Sequence, residues 1–469
     1  MFGSVLRRSR RLMNLVHQFL PTRRPSQTNP TTIRPRPIQA LFQAPAVRLP
    51  LHRSGGHRLG AWHRFPFRLN GQRRFVGLLC LGLVIALAAP VGAQVASPLT
   101  STLTSPLSNR ASSAGEIRGV WLTNVDSDVL FSRDNLRNAI RRLDRLNFNT
   151  LYPTVWNGGY TLYPSQVAKT AFGVELDPEP GLQGRDMLEE AIESGHSRGL
   201  AVIPWFEFGL MAPADSELVQ RHPDWVTARR DGSKVFNVHG EDRSVWLSPA
   251  HPGVQEFLVK LVAEVVDKYD IEGIQFDDHL GMPVEVGYDD YTVRLYQQEH
   301  NGRRPPNNPS DAAWMRWRAN KLSELMRRVY SAAKQGNPNC IVSLSPNPKN
   351  FAYQKYLQDW DGWQRANYID ELIVQVYRTG RSSFLNEIDQ PDLRALSSRL
   401  PVGIGILTGL STRNVSTRDI EDQVRLTRDR RFAGVSFFFY ETLGRRDAVF
   451  QALFPRPVER PHIRSFRAA

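Results

Sequence analysis

The chain of 469 residues has only two cysteines, Cys80 and Cys340. Cys80 lies in an apolar segment expected to be removed on export. Cys340 then stands alone, and no internal disulfide is available. It precedes Ile341-Val342, which predicts a buried structural thiol. No Cys/His spacing of the kind that holds zinc occurs. Residues 1–115 lack lysine and every carboxylate, yet hold sixteen arginines. This imbalance accounts for the net charge of +14, because subtracting +16 leaves −2 for residues 116–469. A nucleic-acid-binding face would show as a basic excess in the folded part, so that class of function is excluded. No short internal repeat is evident, and the apolar run Phe75–Ala89 is shorter than the ~20 residues of a membrane span.

That run reads FVGLLCLGLVIALAA, follows Arg73-Arg74 and precedes Pro90-Val91-Gly92-Ala93. A charged stretch, an apolar stretch and a small-x-small site make an export signal, cleaved after Ala93. The expected destination is the periplasm, the cell envelope or the medium. Only an uncleaved signal segment would tie the protein to a membrane. Residues 1–74 are rich in Arg and Pro and read either as a disordered basic leader or as a start codon placed too far upstream. Residues 94–115, rich in Ser, Thr and Leu, read as a linker.

From Glu116 the pattern changes to short β-rich runs alternating with helical ones. Candidate strands are 117–123, 150–155, 201–206, 273–276, 341–344, 371–376, 402–406 and 434–439. Helical stretches include 135–146, with Leu136, Ile140, Leu143 and Leu146 on one face and Ser132 as cap. Others are 187–198, 254–269, 312–334 and 418–428. Eight strands with intervening helices predict an α/β fold, a (β/α)8 TIM barrel with enlarged βα loops over residues 116–455, and a tail over 456–469. A doubly wound sheet would need a nucleotide fingerprint after the first strand, and Trp121-Leu122-Thr123-Asn124 is not one.

Barrel active sites lie at the C-terminal ends of the strands. Strand four reads Gly273-Ile274-Gln275-Phe276-Asp277-Asp278-His279. Alternation points Ile274 and Phe276 outward, and Gln275 and Asp277 into the barrel, where the two are expected to share a polar network. Strand three exits through Glu207, between Phe206 and Phe208, and strand eight through Tyr440-Glu441. An acid among aromatics has a raised pKa, which suits a proton donor. Asp277 is therefore the expected nucleophile or base. Glu207 or Glu441 is the expected acid, and Asp278 orients Asp277 or a sugar hydroxyl. Each acid could instead be structural, as a loop cap or an arginine partner. Asn347 on strand five, Gln375 and Tyr377 on strand six, and Gln275 and His279 supply hydrogen-bonding groups. Trp121, Trp156, Trp205 and Tyr440 supply flat faces for sugar rings, among further aromatics (Tyr163, Trp225, Trp246, Trp360) of which about half serve packing. Two carboxyl groups with aromatics and amides at a barrel mouth point to glycoside hydrolysis.

Several motifs carry a family resemblance: Glu116 to Trp121 (EIRGVW), Asn149 to Trp156 (NTLYPTVW), Pro204 to Gly209 (PWFEFG), His222 to Trp225 (HPDW), Trp246 to Pro249 (WLSP) and Gly273 to Asp278 (GIQFDD). Together they resemble the glycosyl-hydrolase-like family 10 of bacterial envelope proteins over about residues 115–455. The resemblance implies a TIM barrel that cleaves glycans. Some members are similar to enzymes that cut peptidoglycan strands lacking stem peptides. Gly-Ile-Gln-Phe-Asp also resembles the strand-four nucleophile signature of amylase-type barrels. Those carry their acid on strand five, where this chain has Ser345-Pro346-Asn347.

Two other functions compete. A non-catalytic glycan-binding barrel would have no need of adjacent buried acids. A metal-dependent deacetylase would use Asp277, Asp278 and His279, but consecutive side chains are expected to diverge. Neither cofactor nor metal is expected. The expected partner is a polysaccharide substrate, and oligomeric state is left open.

Overall fold

The computed structural model describes residues 115–237, 243–410, 413–463 and 466. The leader, the export segment and linker residues 94–114 lie outside them. Eight parallel strands occur in the predicted places. They are Ile117–Leu122, Thr150–Pro153, a third in two pieces (Ala201–Val202 and Trp205–Phe206), Gly273–Asp277, Ile341–Ser345, Glu371–Gln375, Val402–Leu407 and Gly434–Phe438. Their hydrogen-bonded order runs three, two, one, eight, seven, six, five, four, three. It begins and ends on halves of the same strand, so the sheet closes into the predicted barrel.

Strand three is expected to be continuous and is not. Pro204 has no N–H to donate to a ladder. The first half pairs with strand two and the second with strand four. The five predicted helices are observed with ends within two residues of expectation. The first, Arg133–Arg145, is capped where Asn135 N–H donates to Ser132 Oγ at 3.4 Å.

Outward strand residues such as Phe206, Ile274 and Phe276 pack with the helices in the main core, Phe206 stacking on Phe276 at 4.9 Å. Inward residues form a second, smaller cluster around Ile117, Trp121, Tyr152, Ile203, Trp205 and Ile373. Space inside is tight. At inward Gly119 a Cβ would lie 2.6 Å from the Tyr152 ring, so only glycine fits beside it. Cys340 is fully buried and free, as expected of a structural thiol.

The packed unit runs past residue 455. Glu116 N–H donates to Glu459 O at 3.0 Å, and Asn149 Nδ2 to Val458 O at 2.9 Å. Arg460 reaches up the barrel axis to the Glu371 carboxylate, and its other amine donates to Thr150 Oγ1 at 2.6 Å. The segment read as a tail thus closes the barrel floor. The pattern hid this because Phe454-Pro455-Arg456-Pro457 ends the last helix and residues 458–469 have no apolar periodicity.

Candidate active site

A narrow cleft opens at the C-terminal ends of the strands. Its acids are Glu207, Asp277 and Asp278, and its aromatic walls are Trp121, Trp205, Tyr377 and Phe438. His279, Ser345 and Gln375 complete it.

Asp277 ends strand four and is 2% exposed. The chain turns sharply behind it, so Oδ1 accepts from the His279 backbone N–H at 2.8 Å and from His279 Nδ1 at 3.0 Å. Gln358 fixes the turn by donating to Asp277 O at 2.8 Å and Leu280 O at 3.0 Å. Among the described residues nothing donates to Asp277 Oδ2. Burial pushes Asp277 up to about 6 against the pull of the His279 cation. Burial alone would lower His279, but the Asp277 and Asp278 charges outweigh it and raise the imidazole to about 10. The pair is therefore a carboxylate and an imidazolium at neutral pH.

Glu207 stands on the turn after strand three, 3% exposed. Its Oε2 accepts three donors: Thr123 Oγ1 at 3.1 Å, Thr154 Oγ1 at 2.9 Å and Asn157 Nδ2 at 2.7 Å. Burial, then the charge of Asp277, push Glu207 up to about 7, against the Thr154 and Asn157 hydrogen bonds. Gly209, at φ +48, lets the Glu207 turn lie against the Asp277 turn, since a Cβ there would meet the His279 backbone at 2.6 Å. Leu210 N–H donates across this contact to His279 O at 2.9 Å.

Asp278 accepts from two amides, Asn347 Nδ2 at 2.9 Å and Gln375 Nε2 at 2.8 Å. His279, rather than Asp278, holds Asp277. The expected network between Gln275 and Asp277 is replaced by another. Gln275 Oε1 accepts from Trp121 Nε1 at 2.7 Å, and Gln275 Nε2 donates to Ser343 Oγ at 2.9 Å. Ser343 Oγ donates in turn to Glu371 Oε1 at 2.9 Å, which the Arg460 ion pair completes. Since Glu371 accepts and the indole N–H donates, the hydrogen-bond direction along this chain is set at both ends. A floor ion pair thereby orients a mouth tryptophan.

The expected divergence of Asp277, Asp278 and His279 is not observed, because the turn folds His279 back. Their ligating atoms lie within 4.8 Å of one another. Hydrogen bonds already engage these atoms: His279 Nδ1 with Asp277 Oδ1, and each Asp278 oxygen with an amide N–H.

Glu441, Tyr440 and Trp156 lie outside the cleft lining. Glu441 accepts from Ser127 Oγ, and burial pushes it up to about 7. Arg142 sits over the Tyr440 ring at 5.4 Å. Trp156 is fully buried against Phe172 and Phe257, its Nε1 donating to Gly209 O at 3.2 Å. Tyr163, Trp225, Trp246 and Trp360 are likewise buried in packing. Thr123, Thr154, Asn157 and Phe438 were not singled out in the sequence. Three were legible: Thr123, Thr154 and Phe438 fall two residues after inward Trp121, Tyr152 and Ser436, on the same face.

Residues 116–425 match the family described as Glycosyl hydrolase-like 10. The glycosyl hydrolase DigH of Escherichia coli K12 is 25% identical over 309 residues, 56% of this chain and 66% of that protein. The glycosyl hydrolase YngK of Bacillus subtilis 168 is 24% identical over 257 residues, 50% of this chain and 46% of that protein. The chain thus spans just under two thirds of one relative and about half of the other. Among solved structures, the PgaB (BpsB) glycoside hydrolase domain of Bordetella bronchiseptica superposes with a TM-score of 0.56 at 11% identity, covering 73% of this chain and 99% of that domain. That likeness is one of fold.

Proposed function

The chain belongs to the glycosyl hydrolase-like 10 family, and on that premise we propose that it is an exported glycoside hydrolase acting on an envelope or extracellular glycan, foremost the glycan strands of peptidoglycan. The observation that carries the reading is one cleft holding two acids on neighbouring turns, both with raised pKa values and each with one oxygen left unbound or nearly so.

Glu207 is the proton donor in this reading. Three donors occupy its Oε2, whereas Oε1 has only a 3.5 Å contact with Thr123 Oγ1, so the proton of the neutral acid resides on Oε1. From there it passes to the leaving glycosidic oxygen. Asp277 Oδ2 attacks the anomeric carbon or activates the water that does. The His279 imidazolium keeps Asp277 ionised beside the other acids. Asp278, held by Asn347 and Gln375, presents acceptors to sugar hydroxyls, and the aromatic walls take the C–H faces of the ring.

The proposal is tested by incubating the protein with purified glycan strands, with and without stem peptides, and assaying new reducing ends. The pH profile of kcat/KM should rise as Asp277 ionises through about 6 and fall as Glu207 loses its proton through about 7. Glu207→Gln should abolish the alkaline limb. It should slow substrates with poor leaving groups by roughly 10²–10⁴-fold and activated ones far less, since only the former need protonation. Equal loss on both substrates would remove Glu207 from that role.

Export is part of the proposal and rests on the apolar segment followed by Val91-Gly92-Ala93. Amino-terminal sequencing of envelope material should begin at or near Gln94. Intact residues 1–93 on a soluble cytoplasmic protein would reject it.

A further inference from the structure

Gln358 is not among the groups that line the cleft, yet its buried amide is directed at the turn that carries Asp277. Nε2 donates both of its N–H groups, one to Asp277 O at 2.8 Å and one to Leu280 O at 3.0 Å. These carbonyls stand at the two ends of one turn, which Leu280 N–H closes on Asp277 O at 3.2 Å. Two carbonyl oxygens facing one spot repel each other, and a primary amide offers two donors side by side that reconcile them. The acceptor end of the same amide gains nothing, since Gln358 Oε1 is buried without a partner among the described residues. A stranded acceptor is unfavourable, so the residue is explained by what its donors hold.

They hold the placement of His279. The turn folds His279 back so that its backbone N–H and its Nδ1 both meet Asp277 Oδ1, at 2.8 and 3.0 Å. The titratable groups facing Asp277 are His279 and Asp278 on its own turn, Glu207 on the strand-three turn and the Tyr377 hydroxyl on strand six. Of these only His279 is a cation. Burial, and then the Asp278 charge, favour the protonated acid, so an Asp277 parted from His279 would hold its proton to higher pH. The clamp comes from strand five, which brings no acid to the cleft. Its loop brings an amide at each end. Asn347 opens the loop and donates to Asp278 Oδ2 at 2.9 Å. Helix Lys349–Tyr356 follows, and Leu357, at φ +55, reverses the chain so that Gln358 returns to the Asp277 turn. The helix end also accepts Met282 N–H at Tyr356 O, 2.8 Å, and Val284 N–H at Lys355 O, 2.9 Å, which ties the two loops together.

We propose that Gln358 is a positioning residue for the reaction: from the strand-five loop its amide holds the turn that keeps His279 on the Asp277 carboxylate and fixes the aim of the free Asp277 oxygen. The kinetic consequence rests on the glycosidase reading, and the placement of His279 does not.

Gln358→Met removes both donors at nearly the same side-chain length. Gln358→Asn keeps an amide that is one methylene too short to reach both carbonyls, and it carries the test if thermal melting shows that Gln358→Met does not fold. On peptide-free peptidoglycan glycan strands, Gln358→Met should lower kcat by about tenfold to a hundredfold, the effect of a reacting group misplaced by about 1 Å. Gln358→Asn should fall between it and the unmutated protein. KM should stay within about threefold, since Gln358 does not line the cleft. The rising limb of the pH profile should move to higher pH by about 1 pH unit, as a carboxyl does on losing a neighbouring cation. A second readout needs no substrate. The His279 ring, followed by NMR and identified by its absence in His279→Gln, should lose its proton at lower pH in the Gln358 variants, because the Asp277 charge that raises it has moved away. A lower melting temperature with kcat, rising limb and His279 titration all unchanged would make Gln358 a packing residue and overturn the proposal, as would an effect confined to KM. If the unmutated protein releases no reducing ends, the hydrolase reading fails by itself and the His279 titration decides: a downward move supports the clamp, and no move overturns it.

Discussion

Asp277→Asn should lower kcat/KM for glycan strands by at least roughly 10²–10⁴-fold, the contribution of one acid/base group, and further if Asp277 forms a covalent intermediate. The folded state should hardly notice. Asparagine keeps an oxygen in the place of Oδ1, which can still accept from the His279 backbone and ring N–H groups. The substitution also removes the carboxylate that raises His279, so the imidazole loses its proton more readily, and the new amide group takes the place of Oδ2 on a residue that lines the cleft. Reducing-end release and thermal melting, measured on the same preparation, separate the two effects. Turnover within about tenfold of the unmutated protein would dismiss Asp277 as nucleophile or base.

The second large effect lies at the opposite end of the barrel. Arg460→Met should destabilise the protein by about 3–5 kcal/mol, because breaking a buried ion pair strands one charge in the interior. That charge is Glu371, whose side chain is 1% exposed and whose remaining donors are the neutral hydroxyls of Tyr152 and Ser343. Adding Glu371→Gln to Arg460→Met should restore most of the loss, since a neutral amide can stay buried among those hydroxyls. Urea unfolding of the single and double variants measures this directly. A change under about 1 kcal/mol for Arg460→Met would mean that the ion pair is screened like an exposed one. Because the same carboxylate anchors Ser343, Gln275 and finally Trp121, the single variant should also alter the tryptophan emission of the folded protein.

What could be read without coordinates was whatever depends on local periodicity. Strand alternation placed Asp277 and Gln275 inside and Ile274 and Phe276 outside. The Ser132 cap and the apolar face of Leu136, Ile140 and Leu143 located the first helix. What alternation does not show is the break in strand three at Pro204. Among the acids, Glu207 and Glu441 looked equivalent, each at a strand exit beside aromatics. The structure separates them, since Glu207 faces the cleft and Glu441 turns to Ser127.

The sequence by itself therefore determined the barrel, the strand ends that line the cleft and the near-neutral charge of the folded part. These arise from residue type and from repeats of two and of about 3.6 residues, which every local segment expresses alone. Only the tertiary structure decided which partners each polar group has. Gln275 bonds Trp121 and Ser343 instead of Asp277, His279 folds back onto Asp277, and Arg460 enters the floor beneath Glu371. These pairings join residues up to 154 positions apart, as between Trp121 and Gln275, or depend on one tight turn. Hydrogen bonds are short and directional, so their partners are settled by the closing of the barrel and not by the neighbours along the chain.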